Sequence, residues 1–464
     1  MFITLYLREI QNYLYSLRFQ ISFIIMILVF IIGSISFITS NKQIQADYAK
    51  YGKIEQEELA RQAGNISRLA THNRSYIMAP RENSVVADSK ENFLPNQINY
   101  SAYNVFDFRV RQSLNNPLLN RAERLNWGFI VSMFLSFITL LFAFDAVSGE
   151  KESRTLALVF SNPVPRGTFI GSKLLSIITV VGLMGIVGII LSLLILSLSG
   201  QVSLDSSFLL EVIGFFMISL LFITVFAVFG LFSSVITRYS NVSLLISLCF
   251  WLVSSVVIPN TSVFWAKKIF PIPGAKEVAE TIQQEKEELW RNAPPYSGSL
   301  VSNEPFYPYH ELRANLHMQI MQAEKKYKDH YYNQMFRQFE NTRRLTSISP
   351  IAQFDYMNEA FLGGGYLRFK KNWNDIHIFQ EQFLQWFKDI DAKDSDSPHW
   401  YNPWEDVSTS RKPVSVDEVP QYQEQVAPFS ERFQFISGYL ISMIVMIAVI
   451  FGFCFYFFVR YDVR

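Results

Sequence analysis

Apolar residues in this chain come in blocks separated by polar stretches. Six blocks, at approximately 19–39, 127–147, 169–198, 208–237, 242–264 and 435–459, are long and apolar enough to cross a bilayer as helices. About 20 such residues span roughly 30 Å of hydrocarbon while every backbone polar group is satisfied inside the segment. The first block could be mistaken for a signal peptide. It is long, however, follows an amphipathic leader over 1–18, and ends in Ser40-Asn41-Lys42-Gln43 without an Ala-x-Ala cleavage pattern. It reads as a retained helix.

The polar pattern predicts the rest. Between the first two blocks, Lys42 to Arg61 is rich in Glu, Gln, Lys and Ala and should continue the first span as a helix. Tyr76 to Asn99, with Pro80, Val85, Val86, Pro95 and Ile98, reads as short strands and turns. After the fifth block, Leu312, Leu316, Ile320, Tyr327, Tyr331, Met335 and Phe339 recur at three- and four-residue spacing. They predict a helix over His310 to Leu345, a stalk of about 50 Å at 1.5 Å per residue or a pair of helices broken near Lys328. Asp391 to Glu424 reads as an irregular connection into the sixth span. The expected fold class is an α-helical polytopic membrane protein with six transmembrane helices and a mixed α+β extracytoplasmic domain built from two insertions, 40–126 and 265–432.

Charge placement orients this plan. Arg8 and Arg18 precede the first span, Lys151, Arg154, Arg166 and Lys173 lie around the loop 148–168, Arg238 separates spans four and five, and Arg460 and Arg464 follow the sixth. The loop Ser199 to Ser207 has no Lys or Arg and only Asp205. Basic short loops mark the cytoplasm, so both termini should be cytoplasmic and both long polar segments outside. Lys267 and Lys268 do not overturn this, because long segments translocate largely regardless of charge. A net charge of +1 gives no global field for nucleic acid. Cys249 and Cys454 both lie in apolar runs, where a small polarizable core residue is the ordinary reading, and no disulfide framework is expected.

Little catalytic chemistry is visible. The nearest approach to a phosphate loop, Gly167-Thr-Phe-Ile-Gly171-Ser-Lys173, has the wrong spacing and order, and there is no Gly-x-Ser-x-Gly elbow or His-Glu-x-x-His helix. The chain is therefore expected to be no enzyme and to hold no cofactor of its own. All six histidines fall in the outer segments; His317, Met318 and Met321 lie within about one helical turn and could offer soft ligands, although three residues complete no metal site and ordinary helix surface and core is favoured. Gly363 to Gly365 suits a flexible turn better than an anion nest. Phe306, Tyr307, Tyr309, Trp373, Trp386, Trp400 and Trp404 suggest a core with an interfacial belt ahead of a ligand cleft. Asp145 and Glu211 stand near span ends, and span centres almost lack ionisable groups, which disfavours an ion-coupled carrier. Gly182, Gly185 and Gly188, and Ser243, Ser247, Ser254 and Ser255, fit helix packing, with a pathway lining as the alternative.

The most informative stretch is Asp145 to Lys173. Polar residues Glu150 to Thr155 precede an apolar patch, Leu156 to Phe160, and then Pro163 and Pro165. That describes a short amphipathic helix at the membrane surface presenting charge to a soluble partner, or simply a polar loop. At Glu150-Lys151-Glu152, Thr155-Leu156, Ser161-Asn162-Pro163, Arg166 and Gly171-Ser172-Lys173 the chain resembles the ABC-2-type permeases, the membrane subunits of ATP-binding-cassette transporters. Its leader, Leu5 to Phe19, looks like their interfacial elbow helix. Arg154 departs from the pattern, since many members have Gly before the Thr. With Tyr76 to Gln97, Ser349-Pro350 and Gly363 to Phe387, the chain is more similar to a subgroup with large outer insertions, the gliding-type or multicopper-enzyme-maturation permeases.

The resemblance implies an inner (plasma) membrane protein and a separate cytoplasmic ATPase subunit that binds ATP and Mg. That subunit would dock onto Glu150, Lys151, Glu152, Arg154, Thr155, Leu156 and Leu158 and move spans two and three. It also implies a second permease chain, identical or related, contact with membrane lipids, and room for an extracytoplasmic protein partner. Three outcomes follow: export of a lipid, glycan or peptide, force transmission without transport, or, if no ATPase is involved, a membrane receptor or scaffold.

Overall fold

The computed structural model describes residues 1–88, 94–109, 125–293 and 308–462. Phe306 and Tyr307 lie outside the described residues. Among the described residues six helices are long and apolar enough to cross a membrane: Leu17–Gln62, Trp127–Glu152, Arg166–Ser199, Ser206–Ile236, Ser240–Ile269 and Phe429–Arg460. The first runs 46 residues without interruption, so the polar Lys42 to Arg61 stretch does prolong the span. An amphipathic leader helix, Phe2–Leu14, lies ahead of it and packs against the third span.

Small residues let these helices approach. A Cβ on Gly188 would collide with the Phe30 ring, and Gly182 and Gly185 face Leu220 and Leu135. Hydroxyls of Ser243 and Ser247 reach Ser233 at 2.9 and 2.7 Å, and Trp127 donates from Nε1 to Ser192 Oγ at 2.7 Å. Gly182, Gly185, Gly188, Ser243 and Ser247 therefore take part in helix packing, where small and hydroxyl side chains substitute for the missing hydrophobic drive between helices in lipid. Two spans contain π-helical turns, Ile130–Leu135 and Val253–Val257. Such turns leave a backbone carbonyl without its regular intrahelical donor.

One of those carbonyls is used by an element the hydrophobic pattern did not reveal. Helix Pro350–Phe361, capped by Ser349, enters the bundle between spans four, five and six. Phe354 lies on Phe222 with ring centroids 4.4 Å apart, and Ser349 donates from Oγ to the Ser254 carbonyl at 2.7 Å. Ile351, Phe354, Met357, Ala360 and Leu362 belong to the same buried cluster as the spans. The segment 265–432, expected to lie wholly outside, therefore sends one helix back among the spans. Its twelve residues are too few and too polar for the spanning criterion.

That helix descends from a single 39-residue helix, Pro308–Thr346, with no break at Lys328. Lys328 instead fixes the long helix to its surroundings, donating to the Phe106 carbonyl at 3.0 Å and pairing with Glu324 at 2.7 Å. A three-stranded antiparallel sheet in the order β1 (Arg74–Ile77), β2 (Gln97–Tyr100), β3 (Val105–Arg109) pairs Tyr76 with Ile98 and Ile98 with Phe108. Ile98 and Tyr100 from this sheet share a second hydrophobic cluster with Ile376, Phe383 and Phe387 of helix Gly365–Asp391, and with Met321 and Tyr422. Gly363, at φ 68°, and Gly365, at φ 55°, make the turn between the two helices. The turn closes on a carboxylate of the chain itself, since Tyr366 N–H donates to Glu359 Oε1 at 2.5 Å and Arg343 pairs with Glu359. The connection 392–428 is irregular, as expected, but ordered by Asp391, which accepts from Ser397 Oγ and Ser410 N–H at 2.6 Å each.

Candidate functional site

The chain leaves the second span through a turn at Phe144 to Val147 and forms two short helices, Ser148–Glu152 and Thr155–Phe160. The single helix expected over Glu150 to Leu158 is split by Arg154, which adopts the left-handed conformation at φ 59° and ψ 17°. A side chain there crowds its own carbonyl, which is why glycine suits such a position. Pro163 and Pro165 end the loop, the latter at the N-cap of the third span.

Three charged side chains of this loop close the ends of three spans. Lys151 is buried and donates from Nζ to the carbonyls of Val235 and Thr237, the second at 3.1 Å, where the fourth span ends. Glu152 accepts from Ser240 N–H at 3.1 Å, at the first residue of the fifth. Arg166 donates from Nη1 to the carbonyls of Phe458, Val459 and Tyr461 at 2.8, 2.6 and 3.0 Å, at the end of the sixth. Helix ends leave carbonyls and N–H groups unpaired, with partial negative charge at the C-terminus and positive at the N-terminus. Two cations meet C-termini here and one carboxylate meets an N-terminus. Ser234 completes the seam, its Oγ accepting from Val147 N–H and Ser148 N–H at 2.9 and 2.8 Å.

A fourth tie runs to the leader helix. Lys173, its side chain 5% exposed, lies 2.6 Å from Glu150 and 3.0 Å from Glu9. Arg18 pairs with Asp145 at 2.6 Å. Tyr13, between these groups, donates to the Phe142 carbonyl at 3.3 Å. Burial, then the negative charge of Glu9, Asp145 and Glu150, push its phenol well above the ordinary value.

The residues expected to meet an ATPase thus divide. Lys151 and Leu156 are buried, and Glu150 is committed to Lys173. Glu152, Arg154, Thr155 and Leu158 are exposed, although Glu152 also holds Ser240. Leu158 is 69% exposed at the tip of the loop. Phe160 underneath rests on Phe169 and Phe458, at centroid distances of 5.4 and 5.9 Å, so the tip has a packed base.

The ABC-2 family transporter protein model matches residues 3–463. The chain belongs to that family. Its members are membrane components of ATP-binding-cassette transporters, not themselves catalytic, and work with an ABC ATPase, typically in a dimeric arrangement. No curated protein matches this permease.

Elsewhere the candidates with metal-like composition are otherwise engaged. His317 is buried, with Nδ1 2.8 Å from Asn402 Oδ1 and Nε2 3.4 Å from Arg313 Nε. Its ring lies against Trp404 and Trp290, at 4.3 and 5.6 Å between centroids. Met321 is in the second hydrophobic cluster and Met318 packs against it. Among the described residues no group of three or more His, Cys, Asp or Glu could hold a metal ion. Trp373 belongs to a small cluster with Phe336, Tyr366 and Phe369, Trp386 stacks on Phe383, and Trp400 lies on His310.

Sequence reasoning missed the capping roles of Lys151, Glu152 and Arg166. The signal it used, charge next to an apolar patch, is the same for a docking surface and for side chains turned inward. Their partners lie far along the chain, and only the fold brings them within reach.

Proposed function

We propose that this permease couples a separate cytoplasmic ATPase to movement of spans four, five and six through the loop Ser148 to Arg166. The observation that carries the reading is the contrast within that loop: Leu158 projects from its tip while Lys151, Glu152 and Arg166 hold the ends of those three spans. A partner gripping the tip pulls on all three ends together. The stroke then has more targets than spans two and three, which flank the loop in sequence. In this reading the loop and both termini are cytoplasmic, the partner supplies ATP and Mg, and a second permease chain completes the complex. The polar segments 40–126 and 265–432, apart from helix Pro350–Phe361 among the spans, make one extracytoplasmic domain.

Two details favour force transmission to an extracytoplasmic partner as the second reading beside export of a lipid, glycan or peptide. The helix Pro350–Phe361 packs on spans four and six, and its Glu359 is paired with Arg343 of the long helix Pro308–Thr346. Motion of the spans therefore reaches the polar domain through a charged, buried joint.

The test is Leu158→Asp, with the ATPase subunit co-expressed. The variant should insert and fold as wild type, because Leu158 touches no core, yet lose co-purification of the ATPase and stimulated ATP hydrolysis. Unchanged co-purification and unchanged stimulation would remove the loop tip from the docking surface.

A further inference from the structure

Where spans four and six begin, the polar domain leaves a cleft of about 720 Å³, within the size range of small-molecule sites. Its floor is the end of helix Pro350–Phe361, with Leu362 and Gly363 buried, and its rim is exposed at Glu82, Asp205 and Val426. Charges of both signs line it. Some are already spent within the chain: Arg368 pairs with Glu424 at 2.5 Å, and Arg81 donates to the Leu362 carbonyl at 2.8 Å.

Arg432, Glu82 and Asp205 are less fully engaged. Arg432, in the first turn of span six, donates from Nη1 to the Phe361 carbonyl at 2.9 Å and stands 3.8 Å from Glu211. Its Nε is buried without a hydrogen-bond partner among the described residues, a cost that native structures rarely leave uncompensated. At the loop before span four, the two carboxylates are held but not neutralised. Glu82 Oε2 accepts from Ser203 N–H and Oγ at 2.9 and 2.6 Å, and Asp205 Oδ1 accepts from Phe208 N–H at 2.8 Å. Among the described residues neither is in an ion pair. Carboxylates fixed in advance take up an ammonium at a smaller ordering cost than free ones. An anion alone is repelled by this acidic wall and a cation alone by Arg432, whereas a zwitterion matches both.

The cleft also adjoins an apolar shelf. Val426 on the rim is 71% exposed, and Phe429, one turn before Arg432, is 58% exposed and stacks at 5.9 Å on Phe433, itself 49% exposed. Charge beside exposed rings at the end of a span is the setting in which headgroups meet acyl chains.

We propose that this cleft holds a phospholipid headgroup that carries both a phosphate and an ammonium. The phosphate meets Arg432, the ammonium lies at Glu82 and Asp205, and an acyl chain runs along Phe429 and Phe433. The proposal rests on the export reading above and names its substrate class.

Native mass spectrometry of the purified permease in micelles tests it, by titration with phosphatidylethanolamine, phosphatidylglycerol and chain-free glycerophosphoethanolamine. The wild type should bind phosphatidylethanolamine about tenfold tighter than phosphatidylglycerol, the worth of one charge-assisted contact, and the chain-free headgroup most weakly. Asp205→Asn keeps a good N-cap for span four and should abolish the preference between the two lipids, as should Glu82→Gln from outside the span. Arg432→Gln should weaken both lipids alike. Equal affinity of the wild type for the two lipids overturns the proposal. So does a preference that survives in both Asp205→Asn and Glu82→Gln, which is what a merely structural role of these carboxylates gives. Glycerophosphoethanolamine bound as tightly as the lipid would assign the cleft to a soluble zwitterion and overturn the lipid. The titration needs no ATPase, so the two readings fail separately: a permease that co-purifies its ATPase but shows no lipid preference defeats the site alone, and one that binds the lipid but no ATPase defeats the export reading.

Discussion

Replacing Lys173 by Met isolates the buried charge cluster at the base of the loop. The ammonium lies between Glu9 and Glu150 at 3.0 and 2.6 Å with 5% of its side chain exposed, while the two carboxylates keep 18% and 23%. Removing one member of a fully buried ion pair costs about 3–5 kcal/mol, because the partner charge is left uncompensated. Both carboxylates retain about a fifth of their surface, so water screens part of that penalty, and the expected loss is about 2–3 kcal/mol. Neutralising all three groups, as Glu9→Gln, Glu150→Gln and Lys173→Met together, should return the protein to within about 1 kcal/mol of wild type. Equilibrium unfolding in mixed detergent micelles, read by tryptophan fluorescence, gives both numbers. Limited proteolysis of the leader helix gives a local readout, since Glu9 would lose its ion pair to Lys173 of the third span. A Lys173→Met protein as stable as wild type, or a triple variant no better than the single one, would refute the idea that this lysine's charge holds the leader to the loop.

Other perturbations have equally definite outcomes. Arg154→Gly should stabilise the protein by about 1 kcal/mol, because a left-handed residue with a Cβ is strained, and the change is measurable as a raised unfolding midpoint. Gly188→Val should prevent assembly of the first and third spans through collision with Phe30, whereas Gly452→Val, where a Cβ meets nothing within 4 Å, should be tolerated; size-exclusion profiles after solubilisation distinguish them. Burial lowers the His317 pKa below its ordinary 6.5, with Arg313 adding to the effect and Asn402 and Glu405 opposing it. The neutral ring therefore contributes stability that is present above pH 6.5 and lost as pH falls, and His317→Gln should flatten that acid limb in thermal melts of the whole protein.

The six spans were legible because a helix in lipid must be long and apolar, a demand that local sequence alone can meet. The leader helix, the helical continuation to Gln62 and the short strands near Tyr76 and Ile98 were legible for similar local reasons. Helix Pro350–Phe361 was not. It carries Gln353, Asp355, Asn358 and Glu359, and its burial depends on Ser254, Ser442, Arg343 and a glycine turn that other segments supply. The charged loop was located correctly as a polar connection, but the direction of its side chains was hidden. Lys151 and Glu152 look alike to any local pattern, and one is buried on the fourth span while the other is exposed on the fifth.

The position of helix Pro350–Phe361 also dictates how the protein is made. A segment with two carboxylates and two amides in twelve residues does not partition into lipid as it leaves the insertion channel, so in the orientation proposed above it crosses with the polar region around it. Its slot is walled by span six, which is synthesised later. In that orientation, folding of this chain includes a step after translocation, in which a helix whose Glu359 is paired with Arg343 returns between spans four, five and six. A ribosome-bound chain ending before Phe429 has the walls that spans four and five supply and lacks the one that span six adds.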